Sequence, residues 1–276
     1  MIAANIAFIG CGNMGRCLIG GLIRDGLPPS RIRAADADAS QLERLTSQWS
    51  GVVTTGDSAQ AVADADVIVL AVKPQQIRQV ALALAPPLQA RKPLVLSIAA
   101  GIRERDLRRW IGPLPIVRAM PNTPAMLGCG VAGLHAGDGV HESHRELAEA
   151  ILRAAGMTVW VDSEDLIDAV TAVSGSGPAY FFALMEWMED AGVKLGLSRE
   201  QARLLTLQTA LGAARMAMEA GVDPATLRKQ VSSPGGTTER ALSVMHQHDM
   251  GGIIEQALRA ASLRAAEMAD QFGGAS

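Results

Sequence analysis

The sequence predicts an α/β N-terminal domain built on a doubly wound parallel sheet, followed by an all-α C-terminal domain. Three observations carry this. A short apolar run, Ile6-Ala7-Phe8-Ile9, passes directly into Gly10-Cys11-Gly12-Asn13-Met14-Gly15 and then into helical sequence. Two further runs, Val67-Ile68-Val69-Leu70 and Leu94-Val95-Leu96-Ser97-Ile98, lack polar alternation, as strands covered on both faces do. From Leu166 onward no strand signal appears, and one helical segment follows another.

The opening strand needs little more than its four apolar residues. The glycine spacing after it has a physical purpose at each position. The first Gly permits a tight turn, the second lets backbone approach a pyrophosphate, and the third lets helix pack on strand. The helix then offers free N–H groups and the positive end of its dipole to phosphate. This run is therefore read as a dinucleotide site. Residues 31–35 follow as a second strand, 41–48 as a helix and Val52-Val53 as a short strand. After the two strong strands come 116–117, 131–134 and 158–161, with helix over 142–155. Strand alternating with helix means a parallel, doubly wound, Rossmann-like domain, here residues 1–162.

Residues 163–276 form the expected helical domain, with helices over 180–195, 199–220, 223–231 and 253–272. Breaks fall at Gly196-Leu197-Ser198, at Gly221 and at Ser233-Pro234-Gly235-Gly236. The first two helices are apolar nearly all round: Phe181, Phe182, Leu184, Met185, Trp187 and Met188 on one, Leu204, Leu205, Leu207 and Leu211 on the next. Such helices are buried on more than one side, and a domain this small cannot cover them alone. A homo-oligomer, at least a dimer, is expected.

Bulk properties exclude other classes. A net charge of −3 over 276 residues gives no electrostatic case for nucleic acid or an anionic membrane surface. Apolar runs are broken well short of a membrane span. The N-terminus lacks a basic segment and enters a strand at once, so no signal peptide is expected. The cysteines, Cys11, Cys17 and Cys129, are odd in number and without metal spacing, which points to reduced thiols in the cytoplasm. Cys11 is read as packing inside the glycine turn. No metal site is expected: His141 and His144 stand at a helix start without a completing carboxylate or thiolate.

Several residues are candidates for chemistry. Asp36 ends the second strand, where a carboxylate accepts hydrogen bonds from adenosine ribose hydroxyls and repels a 2′-phosphate; this suggests NAD. Alternatively, Asp36 or Asp38 caps the helix near Ser40. Ala71-Val72-Lys73-Pro74 follows the strand at 67–70, and parallel strands deliver their C-terminal ends to a ligand crevice. Lys73 could meet phosphate or a substrate carboxylate, or be solvated. Ser97-Ile98-Ala99-Ala100-Gly101 leaves room for a flat nicotinamide. Met120-Pro121-Asn122-Thr123-Pro124 is a rigid turn in which Asn122 could orient a carboxamide, or it is an ordinary turn. Ser232-Ser233-Pro234-Gly235-Gly236-Thr237-Thr238 stops one helix and opens another at Glu239. Its N–H groups can converge on a small carboxylate, with two Thr hydroxyls nearby; the bland reading is a capped helix connection.

Together these residues make the chain resemble the pyrroline-5-carboxylate reductase family from end to end. The resemblance is carried by Ile9-Gly10-Cys11-Gly12-Asn13-Met14-Gly15, by Ala71-Val72-Lys73-Pro74, by Ser97-Ile98-Ala99-Ala100-Gly101 and by Arg118-Ala119-Met120-Pro121-Asn122-Thr123-Pro124. In the helical part it is carried by Ala172-Val173-Ser174-Gly175-Ser176-Gly177-Pro178-Ala179-Tyr180 and Ser233-Pro234-Gly235-Gly236-Thr237-Thr238. It implies reduction of 1-pyrroline-5-carboxylate, a cyclic imine, to L-proline by NAD(P)H, with NADP the usual family cofactor. Cofactor contacts are implied for Gly10, Cys11, Gly12, Asn13, Met14, Gly15, Ser58, Ala71, Val72, Lys73, Pro74, Ile98, Ala99 and Ala100; Ile9, at the strand end, and Asn122, in the rigid turn, are added as cofactor candidates. Substrate contacts are implied for Ser233, Gly235, Gly236, Thr237 and Thr238, with the Thr238 hydroxyl near the ring nitrogen. The family forms interlocked homodimers, often assembled into rings. Asp36 departs from the neutral residue many members carry and favours NADH. Two alternatives stand beside this: a hydroxyacid dehydrogenase, for which Lys194 is the nearest acid/base candidate, and a non-catalytic nucleotide sensor.

Overall fold

Eight strands form one sheet in the order β3-β2-β1-β4-β5-β6-β7-β8 in the computed structural model, which describes residues 2–274. They are β1 (Ile6–Ile9), β2 (Ile32–Ala35), β3 (Val53–Thr55), β4 (Val67–Leu70), β5 (Leu94–Ser97), β6 (Ile116–Met120), β7 (Gly130–Ala136) and β8 (Gly156–Trp160). The first six run parallel. Helices α1 (Asn13–Arg24), α2 (Ala39–Gln48), α3 (Ser58–Val62), α4 (Pro74–Arg91), α5 (Glu104–Ile111) and α6 (Glu142–Arg153) provide the crossovers and cover both faces.

The alternation of side chains across β1 builds two cores at once. Ile6 and Phe8 point to the face covered by Leu18 and Leu22 of α1 and Ile151 of α6. Ala7 and Ile9 point to the other face, with Ile77 and Leu84 of α4 and Leu107 of α5. A strand buried on both sides must be apolar at every position, which is why β1, β4 and β5 read as unbroken runs.

The expected parallel, doubly wound sheet is present, with one strand pairing that departs from it. β7 pairs antiparallel to β6, and β8 then follows β7 in parallel. Only residues 121–129 join β6 to β7, and a parallel crossover needs about a dozen residues or more. The chain turns instead through a short 3₁₀ segment, Thr123–Leu127, and comes back beside the strand it left.

The helical elements that follow are α7 (Leu166–Val170), a π-helical turn at Thr171–Gly175, α8 (Gly177–Lys194), α9 (Arg199–Glu219), α10 (Pro224–Gln230), α11 (Thr237–Gln247) and α12 (Met250–Gly273). Ser198 and Asp223 cap α9 and α10 by accepting N–H groups of their first turns. The chain divides into two compact units. One is the sheet with residues up to Ser176 and the end of the chain from Ala260; the other is Gly177–Arg259. This division differs from the expected boundary after Asp162. Residues 163–176 join the sheet because Arg118 of β6 meets Glu164 at 2.8 Å and Arg103 meets Asp165 and Asp168. The last turns of α12 join it because Arg109 donates to the Gly273 carbonyl at 2.9 Å, and Met268 and Phe272 pack over Gly101.

Within the second unit, α8 and α9 expose the apolar residues singled out above, apart from the half-buried Met185. Phe181 and Phe182 are each 63% exposed, Trp187 60% and Leu204 62%.

Candidate active site

Strand order reverses between β1 and β4, and in open α/β sheets ligands bind at the C-terminal ends of the strands at such a point. A cleft of about 490 Å³ lies there. Of the sequence-predicted residues, Ile9, Gly10, Gly12, Asp36, Ser58, Ala71, Val72 and Lys73 line it.

The glycine turn is dictated by close approach. Gly10 has φ +103°, and a Cβ there would lie 2.7 Å from backbone of Ala71 and Val72. A Cβ on Gly15 would lie 2.4 Å from the Gly10 carbonyl oxygen. Gly12 faces open space instead, immediately before α1, and no side chain caps that helix. The free N–H groups of α1 therefore point into room that a pyrophosphate fits.

Asp36 and Asp38 are engaged differently. Asp38 caps α2 by accepting the Ser40 N–H at 2.9 Å, and hydrogen bonds from Ser40 hold its carboxyl below the ordinary range. Asp36 accepts the Cys11 N–H at 2.7 Å on one oxygen and the Asp38 N–H at 2.9 Å on the other. It is half-buried on the cleft wall, with lone pairs left for a ribose.

The remaining predicted cofactor residues support the cleft from behind or lie away from it. Cys11 is buried with its Sγ toward the Ala35 carbonyl, and burial, aided by the Asp36 charge, pushes its thiol up to about 12. Met14 packs on the core beneath α1, and Gly15 is buried. Asn13 opens α1 and accepts from Arg16. Pro74 occupies the first turn of α4, where its missing N–H costs nothing. Ile98, Ala99 and Ala100 follow β5, with the Ile98 N–H bonded to the Leu70 carbonyl and Ala99 buried. Asn122 does not line the cleft. Its Oδ1 accepts the Val131 N–H at 2.9 Å and its Nδ2 donates to the Ser174 carbonyl at 3.1 Å, so it fastens the turn between β6 and β7.

The sequence reading missed one cleft wall. Gln76, Gln79, Val80 and Ala83 of α4 line it, as does Gln41 of α2. No helix is read from the sequence between β4 and β5, although Pro74 sits at a helix start.

The second candidate site lies within the helical unit. Gly235 has φ +72°, the Gly236 N–H closes a turn onto the Ser233 carbonyl at 3.0 Å, and Thr237 and Thr238 open α11. A surface hollow of about 820 Å³ includes Gly235, Gly236, Glu239 and Arg240. The Gly235 N–H donates to the Glu239 carboxylate at 2.6 Å. This partner was not foreseen: the loop already holds a carboxylate, supplied by its own helix. Thr238 is half-buried and Thr237 exposed. Lys194, the candidate base of a hydroxyacid dehydrogenase, is the last residue of α8. His141 and His144 stack at the N-terminus of α6, rings 5.6 Å apart, and serve that helix end.

Comparison with known proteins bears on this pair of sites. A pyrroline-5-carboxylate reductase of Pseudomonas aeruginosa is 53% identical over 99% of this chain and 100% of its own. The chain belongs to the pyrroline-5-carboxylate reductase family. Residues 164–268 match the family described as pyrroline-5-carboxylate reductase dimerisation, and residues 5–101 match NADP oxidoreductase, coenzyme F420-dependent. A solved reductase of the family from Coxiella burnetii superposes with a TM-score of 0.93 at 45% identity, covering 97% of this chain and 99% of that one. A Plasmodium falciparum pyrroline carboxylate reductase with NADP bound gives 0.85 at 27% identity, covering 98% and 99%. Family membership makes the chain an NAD(P)-dependent oxidoreductase with a Rossmann-like domain and an oligomerising helical region. Among the described residues, no helix is long and apolar enough to cross a membrane.

Proposed function

We propose that the protein reduces 1-pyrroline-5-carboxylate to L-proline by hydride transfer from NAD(P)H, the last step of proline biosynthesis. The observation that carries this reading is the Gly235 N–H, which grips a carboxylate at 2.6 Å within the Ser-Pro-Gly-Gly-Thr-Thr loop, residues 233–238. A small acid fits this loop without a charged side chain to bind it. The Glu239 side chain is exposed, and in this reading the substrate carboxylate displaces it from the Gly235 N–H.

Each residue then has a task. Gly10, Gly12 and the N-terminus of α1 hold the pyrophosphate, Asp36 holds the adenosine ribose, and Ala71, Val72 and Lys73 border the cofactor. When bound, NAD(P)H supplies the hydride. Ser233, Gly235, Gly236 and Thr237 fix the substrate carboxylate, and the Thr238 hydroxyl donates at the ring nitrogen. A protonated cyclic imine accepts hydride readily at its C=N carbon, which becomes C5 of proline, so position matters more than acid strength. The exposed apolar faces of α8 and α9 are covered by a second copy in a homodimer, itself part of a ring of dimers. The functional boundary lies near residue 162, and the enzyme works in the cytoplasm, where Cys11, Cys17 and Cys129 stay reduced.

The test is oxidation of NADH and NADPH with pyrroline-5-carboxylate, alongside reduction of NAD(P)⁺ with a panel of 2-hydroxy acids. Turnover with the imine alone is expected. Turnover with a hydroxy acid alone moves the chain to the dehydrogenase class, and cofactor binding with no turnover makes it a sensor.

A further inference from the structure

We propose that Arg16 is a specificity residue that admits an adenosine 2′-phosphate, so that the site takes NADPH alongside NADH despite Asp36. The proposal rests on the reading of the 490 Å³ cleft as the cofactor site.

Arg16 lies in the first turns of α1, three residues beyond the Asn13 that opens the helix. Its Nη1 donates to Gln41 Oε1 at 2.6 Å, and its Nη2 donates to Asn13 Oδ1 at 2.9 Å. Gln41 is itself a cleft residue, as are Asp36 and Asp38. The guanidinium lines a neighbouring hollow with Asn13, Cys17 and Trp49, and its bond to Gln41 joins it to the cleft at the start of α2. That is the end of a dinucleotide cleft at which ribose and 2′-phosphate are told apart.

The partners of Arg16 leave its charge uncompensated. Both are neutral carboxamide oxygens, which orient a guanidinium without neutralising it. Among the described residues Arg16 forms no ion pair. The nearby carboxylates are engaged elsewhere: Asp36 by the N–H groups of Cys11 and Asp38, and Asp38 by Ser40. A planar guanidinium has five N–H donors, so a fork remains for phosphate oxygens after these two bonds. Its charge also reaches the glycine turn. It pulls the Cys11 thiol downward, against the Asp36 charge that pushes it up. The two opposite charges thus bracket the same loop, and each favours a different cofactor.

A purely structural role is the competing account, in which Arg16 pins α1 to α2 through Gln41. The two accounts differ in which nucleotide feels the loss. The experiment is equilibrium binding of NADP⁺ and NAD⁺ by titration calorimetry to the full-length protein, comparing wild type with Arg16→Ala, Arg16→Gln and Arg16→Lys, with melting curves to show that each variant folds. The expected result is about a 10- to 100-fold loss of NADP⁺ affinity in Arg16→Ala and Arg16→Gln, the range for one charge-assisted contact. NAD⁺ affinity should stay within about twofold, and Arg16→Lys should recover part of the loss. The salt dependence of NADP⁺ binding should flatten in the neutral variants. An equal loss for both nucleotides, or no loss for either, overturns the proposal. Failure of the wild type to bind either nucleotide overturns the cleft reading and the proposal with it.

Discussion

The carboxylate of Asp36 accepts the backbone N–H of Cys11 at 2.7 Å, so the acid at the end of β2 is fastened to the glycine turn that follows β1. One side chain therefore shapes the glycine turn and, in the proposed cofactor site, sets the charge that would face the adenosine ribose. Replacing Asp36 with Ser should raise the kcat/KM ratio of NADPH to NADH, because the charge opposing a 2′-phosphate is gone. It should also raise KM for both cofactors, because a strong bond to the turn is lost. Steady-state kinetics with each cofactor check this. A wild type that prefers NADPH more than about a hundredfold, some 2.7 kcal/mol, contradicts the assignment of Asp36 to the ribose.

Burial and the Asp36 charge together make Cys11 a poor thiolate, with its thiol pushed up to about 12 from an ordinary value near 9. In the folded state it stays protonated where the unfolded chain has already lost the proton. Stability is therefore unaffected below pH 9 and falls as pH rises from 9 toward 12. At pH 10 the difference is about 1.4 kcal/mol, or about 2–4 °C in melting temperature, and Cys11→Ala should lack this increment. Melting curves at pH 8 and pH 10 test it. Alkylation of native protein at pH 8 should label the exposed Cys129 and spare Cys11, as read by peptide mass spectrometry.

The unbroken apolar runs of β1, β4 and β5 and the glycine spacing were legible in the sequence because they are local: buried strands need apolar residues at every position, and the turn needs glycine where backbone passes backbone. The loop at 233–238 was legible for the same reason. The reversed direction of β7 was not, since it depends on what a nine-residue connection, 121–129, can span. Gln76 and Gln79 carry no motif of their own, and only the path of α4 along the cleft brings them to it. The bond from Gly235 to Glu239 and the return of Phe272 and Gly273 to α5 and Gly101 were out of reach for another reason. They are contacts chosen by tertiary packing, and nothing in residue type alone announces them.

Leu211, in the middle of α9, is 55% exposed although its helix has no continuous polar face. Leu211→Glu should therefore shift the assembly toward smaller species, or reduce solubility, while the affinity for cofactor is retained. Light scattering at micromolar protein, paired with a nucleotide titration, measures both. A folded, active wild-type monomer contradicts this account of the helical faces.

Thr238 is the second residue of α11, half-buried beside the loop that holds a carboxylate. Thr238→Ala should keep fold and cofactor affinity and lower kcat/KM for the imine by about 10- to 1000-fold, as expected for one positioned donor. Thr238→Ser should retain more activity, and Thr237→Ala should matter less because only its backbone is used. Near wild-type kinetics for Thr238→Ala would leave the loop as an anion site alone.

The most direct measurement follows the hydride itself. The protein is incubated with pyrroline-5-carboxylate and NADPH or NADH carrying deuterium at the transferred position of nicotinamide C4, and the product is examined by NMR and mass spectrometry. The account predicts L-proline with one deuterium, located at C5. Oxidation of the cofactor without proline, or proline with no deuterium at C5, would contradict it.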